Sequence, residues 1–211
     1  PIFGFIIAMV MHRIVIPRRT LRTIVLIPYS IITVVSGFTW LFMYQTDTGF
    51  VNRWTSWLPG VSDNYDWFGG FWSSIFVICL SEIWKTTPFI SLLLLAGLVQ
   101  VPEDMQEAAK VDGATWWQRL TKVILPNMKA AIMVALLFRT LDAFRIFDNP
   151  YVMTGGANDT TSLSMLVSRE AIDRVEIGMG SALAVILFLC VLLIAAVFVR
   201  GFKVDLTQGR S

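Results

Sequence analysis

The chain has 211 residues, of which 55% are hydrophobic and 15% charged, with a formal net charge of +2 and a mean hydropathy of +0.66. Soluble domains carry about 25% charged residues, so too few polar groups are present here to cover a water-soluble globule of this size, and a disordered chain, a coiled coil and a disulfide scaffold are excluded as well. The nearly balanced charge supplies no basic field for nucleic acid, which leaves a membrane protein as the leading reading.

In chain order, the first charge-free run is Pro1 to Met11. At 1.5 Å per residue it reaches only about 16 Å, half a bilayer core. It has no basic stretch before it and no small-residue cleavage site after it, so it does not read as a signal peptide. Since it also starts without Met, the expectation is that the chain begins inside a helix whose start is missing. From Thr23 to Thr46 there are 24 residues without a charge, and from Ile177 to Val199 there are 23. Each run predicts a transmembrane helix. Trp67–Ser81 and Thr86–Pro102 are also apolar and are separated only by Glu82 and Lys85, spaced to share a helix face. They predict one long helix over about 70–100, bent near Pro88. Val123 to Phe144 predicts a fourth span, carrying Lys129, Arg139 and Asp142. The fold class is therefore all-α, a polytopic membrane protein with four complete spans and the end of another.

Charge asymmetry orients these spans. Segments 12–22, 99–122 and 200–211 hold ten basic residues, whereas the alternate segments 45–70 and 146–176 hold three. The first set is expected in the cytoplasm. Lys129 is expected to snorkel to the inner surface. Trp40, Trp54, Trp57, Trp67 and Trp72 read as anchors at the outer interface, with Trp116 and Trp117 at the inner one. Cys79 and Cys190 lie in apolar runs as lipid-facing or packed thiols, and one His in the chain argues against a metal site. His12 reads as a solvated or headgroup contact. No phosphate-binding Gly-x4-Gly-Lys-Ser/Thr loop, His-Glu-x2-His or Gly-x-Ser-x-Gly occurs.

Two polar stretches stand out. In Val101–Leu120, Pro102 with Glu103 and Asp104 marks a helix start. Residues 103–111 are good helix formers, Asp112-Gly113 ends them, and a second short helix is expected over about 114–122. Ala108 and Ala109 present a small surface between the charges of Glu107 and Asp112, suited either to an interfacial loop or to close docking. The outer stretch 149–176 carries Gly155-Gly156 and Asn158-Asp159-Thr160-Thr161, and reads either as a solvated connector or as a docking surface. Charged residues inside spans are costly and suggest function by default. Glu82 with Lys85, and Arg139 with Asp142, form two pairs three residues apart, either closing on themselves or offering a polar wall. Trp84, Phe144 and Phe147 add apolar faces.

Glu107-Ala108-Ala109-x3-Gly113-x9-Val123-x-Leu125-Pro126 resembles the EAA loop of ABC importer permeases. Glu82-Ile83-Trp84-Lys85-Thr86-Thr87-Pro88-Phe89, Asp47-x-Gly49-x2-Asn52 and Thr154-Gly155-Gly156 resemble the carbohydrate permeases of the maltose/glycerol-phosphate type. Leu137 to Asp148 resembles the first permease of trehalose importers. The resemblance covers nearly the whole chain and implies a single permease domain over 1–211 of the type I importer fold, with residues 102–122 as its coupling loop, in the bacterial inner membrane.

It further implies a transport subunit rather than an enzyme, importing a sugar, with trehalose foremost. The implied partners are a second permease, two ATPase subunits that hold the ATP and Mg, and an extracytoplasmic sugar-binding lipoprotein or periplasmic protein; this chain itself would hold no cofactor. Glu107, Ala108, Ala109, Asp112 and Gly113 would couple to the ATPase. Glu82, Trp84, Lys85, Arg139, Asp142, Phe144 and Phe147 would line the sugar path, and Gly155, Gly156 and Asn158 would meet the binding protein. The competing readings are a permease for another sugar or a glycerol-phosphate-like solute, an ion-coupled carrier, and a membrane enzyme. An ion-coupled carrier needs no docking loop, and a membrane enzyme needs a catalytic constellation that the sequence does not offer.

Overall fold

The computed structural model describes residues 1–13, 18–57 and 62–201. Lys203 and Arg210, counted above among the cytoplasmic basic residues, lie outside the described residues, as do the side chains of Arg13, Arg18 and Arg19. The described residues form helices and no strands. In order these are α1 (Ile2–Arg13), α2 (Arg18–Ser30), α3 (Thr33–Tyr44), the short α4 (Val51–Thr55), α5 (Phe71–Val99), α6 (Glu103–Val111) and α7 (Trp116–Arg119). A π-helical turn (Leu120–Ile124) and α8 (Leu125–Asn127) lead into α9 (Lys129–Phe144). Then follow α10 (Asp148–Thr154), a 3-10 turn (Ala157–Asp159), α11 (Leu163–Ser168), a second π turn (Arg169–Asp173) and α12 (Ile177–Gly201).

Among the described residues two helices, α5 and α12, are long and apolar enough to cross a bilayer, or up to four spans if each of two bent pairs counts as one. The 23–46 stretch is not the single helix its composition predicts. It breaks after Ser30, and the chain bends by 81° before Thr33. Pro28 sits in the last turn of α2, where its missing N–H and its ring weaken the helix. The carbonyl of Ile31, left over at the break, accepts a hydrogen bond from Lys85 Nζ. The expected span 123–144 is broken too, with a 72° bend at Met128. Pro126 offers no N–H, and Asn127 Nδ2 donates to the Val123 carbonyl at 2.7 Å, so a side chain competes with the helix ladder there. By contrast, α5 runs unbroken through Pro88, and Ser91 Oγ donates to the Pro88 carbonyl at 2.6 Å.

The described residues divide into two compact units. One contains residues 1–27 and 87–141 with the end of α12 from Leu192. Its core joins Ala8 and Met11 of α1, Ile90, Leu94 and Leu98 of α5, and Met128 with Ala135. In lipid the apolar surroundings supply little drive for helix association, so close packing through small residues matters more. Gly97 shows this: a Cβ there would lie 2.3 Å from the Ala131 Cβ. Gly97→Leu is therefore expected to destabilise this unit by about 1–3 kcal/mol through overpacking, read as a lower melting temperature in detergent. The other unit contains residues 28–86 and 142–191, with a core of Tyr44, Val51, Trp67, Val77, Ile78 and Met153. Along α12, none of the most apolar 18-residue window is buried among the described residues.

Candidate functional site

The first candidate region is the segment after α5. Helix α6 spans the nine residues the sequence predicts, with Pro102 as its N-cap, Glu103 and Asp104 in the first turn and Lys110 in the last, an arrangement that suits the helix dipole. Its end is a Schellman closure: Ala114 N–H bonds the Ala109 carbonyl at 2.9 Å and Gly113 N–H bonds that of Lys110 at 3.0 Å. Gly113 has φ +75°, the left-handed conformation this closure requires. The next helix starts two residues later than expected, at Trp116. Thr115 and Gln118 form a reciprocal capping box, a Thr-x-x-Gln signal legible in the sequence. Gln118 Oε1 accepts from the Thr115 N–H at 2.7 Å. The helix then widens into the π turn at Leu120 rather than ending near Lys122.

No residue of α6 is buried, so Glu107, Ala108 and Ala109 lie on a helix that packs nothing into a core. Apolar groups share this surface: Val111 is 88% exposed and Trp117 67% exposed. Composition had marked Trp117 as a membrane anchor and gave Val111 no role. Two closed helix ends hold the two helices in a fixed elbow at Asp112-Gly113. Neither helix of the segment buries a residue.

The second candidate region is a buried polar cluster in the other unit. Glu82 and Lys85 do share a face of α5, and both are buried, but each also reaches a distant element. Glu82 Oε1 accepts a hydrogen bond from Asn149 Nδ2 of α10 at 2.5 Å, while Lys85 holds the Ile31 carbonyl at the α2–α3 break. These partners answer the expectation of a pair closed on itself: the charges also tie α5 to two other segments. Trp84 is partly exposed and lies 6.1 Å, ring to ring, from Trp40, which stacks on Tyr44 at 5.7 Å. Phe147 is the N-cap of α10 and stacks on Tyr151 at 5.1 Å. Phe144 and Asp142 are exposed and Arg139 is half-buried on α9. Asn149, invisible to sequence reasoning, is the residue the structure adds.

Residues 149–176 fold largely into short helices. Gly155 ends α10 with φ 59° and Gly156 follows with φ 85°. Asn158 also has positive φ, and its Nδ2 donates to the Phe68 carbonyl at 2.5 Å. Trp67 is not an interface anchor: it is 8% exposed and its Nε1 donates to Asn52 Oδ1 at 2.6 Å. The same Asn52 donates to the Tyr65 carbonyl at 3.0 Å, which gives the Asp47-x-Gly49-x2-Asn52 motif a structural role. Trp54, Trp57 and Trp72 are exposed. Among the described residues no cluster fit to hold a metal ion occurs.

Residues 1–203 match the family model described as binding-protein-dependent transport system inner membrane component. The chain belongs to this family. It is 50% identical over 209 residues to the trehalose transport system permease protein SugA of Mycobacterium tuberculosis (strain CDC 1551 / Oshkosh), covering 95% of this chain and 64% of that protein. It is 40% identical to the trehalose/maltose transport system permease protein MalF of Thermococcus litoralis, covering 94% of this chain and 67% of that protein. The chain thus spans roughly two thirds of the length of these relatives, which are transport permeases rather than enzymes. The helical permease fold is shared with a crystal structure of a bacterial ABC transporter involved in the import of the acidic polysaccharide alginate, at TM-score 0.81 and 23% identity, covering 97% of this chain and 72% of that one.

Proposed function

We propose that this chain acts as the permease subunit of an ATP-driven importer in the bacterial inner membrane, forming half of the path for a disaccharide, trehalose foremost. The 50% identity to a trehalose permease carries this reading. The exposed helix α6, with no buried residue, supports its coupling part. In this reading Glu107, Ala108, Ala109, Asp112 and Gly113 seat on an ATPase subunit, and the fixed elbow passes that subunit's movement to the spans as a rigid-body shift. ATP and Mg belong to the ATPase pair. A second permease completes the path, and an extracytoplasmic binding protein delivers sugar against Gly155, Gly156 and Asn158. Glu82, Lys85, Arg139 and Asp142 offer hydrogen-bonding charge to sugar hydroxyls, while Trp84, Phe144 and Phe147 offer apolar faces.

The test is reconstitution of the assembled complex in liposomes with its binding protein and a panel of sugars. The expected result is that trehalose stimulates ATP hydrolysis and is taken up. Stimulation by another sugar or by a glycerol-phosphate-like solute alone would overturn the substrate. Uptake by the permease without ATPase subunits, driven by an ion gradient, would overturn the mechanism.

A further inference from the structure

Asn149 has no accessible surface, being 0% exposed, and its amide does two unequal things. Nδ2 donates to the Glu82 carboxylate at 2.5 Å, while Oδ1 is buried without a hydrogen-bond partner. A buried amide oxygen left unpaired is a cost that an apolar side chain of similar size would avoid. Turning the amide over would place its oxygen against a carboxylate oxygen, so Glu82 dictates the orientation and the orphaned oxygen follows from it. The surroundings hold the amide in place. Helix α10 packs along α3, and at Gly37 of α3 even a Cβ would stand 3.2 Å from Asn149 Oδ1 and from Val152. The backbone of Glu82 is fastened in turn, its carbonyl accepting from Thr86 Oγ1 at 2.6 Å. Asn149 therefore sits where a packing residue would be apolar, and it is polar toward a single carboxylate.

We infer that Asn149 is a positioning residue for sugar translocation, acting through Glu82 by fixing the rotamer in which its carboxylate meets sugar hydroxyls. This rests on the reading of Glu82 as a sugar contact, and the test separates the two. The readout is the number of sugar molecules imported per ATP hydrolysed in the reconstituted complex. A purely structural defect lowers both rates together and leaves that ratio unmoved. Asn149→Leu, which keeps the branching and the number of heavy atoms and removes the donor, is expected to lower the ratio about tenfold, the worth of a hydrogen bond to a charged group. Asn149→Asp is expected to lower it further, and Asn149→Ser, which keeps a hydroxyl donor, to recover part of it.

Glu82→Gln is expected to lower the ratio, and adding Asn149→Leu to it is expected to lower it no more. If Asn149→Leu and Asn149→Ser both assemble with an unchanged ratio, the inference fails while the Glu82 reading stands. It fails equally if the effects of Asn149→Leu and Glu82→Gln multiply in the double variant, since Asn149 would then act independently of Glu82. If Glu82→Gln itself leaves the ratio unchanged, the Glu82 reading fails and takes the inference with it.

Discussion

Gly113→Trp is expected to leave the complex assembled and to lower sugar uptake at least about tenfold, an uncoupling worth 1.4 kcal/mol or more. Two effects meet at this position and can be separated. The backbone has φ +75°, so any side chain is disfavoured there by about 1–2 kcal/mol. Apart from its two chain neighbours, no heavy atom of the described residues lies within 4 Å of a Cβ built on Gly113, so there is room for bulk there. Gly113→Ala therefore carries the conformational cost alone, and is expected to keep most of the transport. Gly113→Trp adds volume pointing away from its own chain, into the space where an ATPase groove would close. Uptake and copurification of the ATPase, measured for wild type, Ala and Trp in parallel, check this. Equal transport by Trp and wild type would show that nothing docks there.

Lys85→Met is the substitution expected to cost the most stability. It removes the donor to the Ile31 carbonyl at the α2–α3 break and leaves the Glu82 carboxylate, 9% exposed, without the cation one turn along. Removing one member of a buried charge pair costs about 3–5 kcal/mol, whereas removing both charges costs much less. The expected result is a large fall in melting temperature and in yield of assembled complex for Lys85→Met. Adding Glu82→Gln should restore part of the loss. A double variant less stable than Lys85→Met alone would mean that the two side chains do not compensate one another.

The parts of the fold fixed by neighbours in sequence were legible. Helix α6 starts and stops where Pro102 with its two acids and Asp112-Gly113 say it should, since dipole and closure are local effects. The long helix α5 and the apolar α12 follow from length and hydropathy. The breaks at residues 31–32 and 128 were not legible from composition, because a straight and a broken helix bury the same apolar residues. Pro28 and the Pro126-Asn127 pair were the available cues. What stabilises the first break is Lys85, 54 residues away, and no local pattern announces it. Asn149 escaped for the same reason, since its partner lies 67 residues distant. Trp67 was misplaced because a buried indole and an interfacial one read alike in sequence; only Asn52, 15 residues earlier, distinguishes them.

The contact between the α6–α7 segment and the ATPase is open to direct chemistry. In a complex carrying Cys79→Ser and Cys190→Ser, single cysteines at the exposed positions Met105, Val111 and Trp117 can be tested with a short bifunctional crosslinker in inside-out vesicles. Single cysteines at the exposed residues Trp54 of α4 and Trp72 of α5, expected from the charge asymmetry on the opposite side of the membrane, serve as controls. The expected result is a permease–ATPase adduct from the first group and none from the second. No adduct from any of Met105, Val111 and Trp117 in a complex that still transports sugar, or an adduct from Trp54 or Trp72, would contradict it.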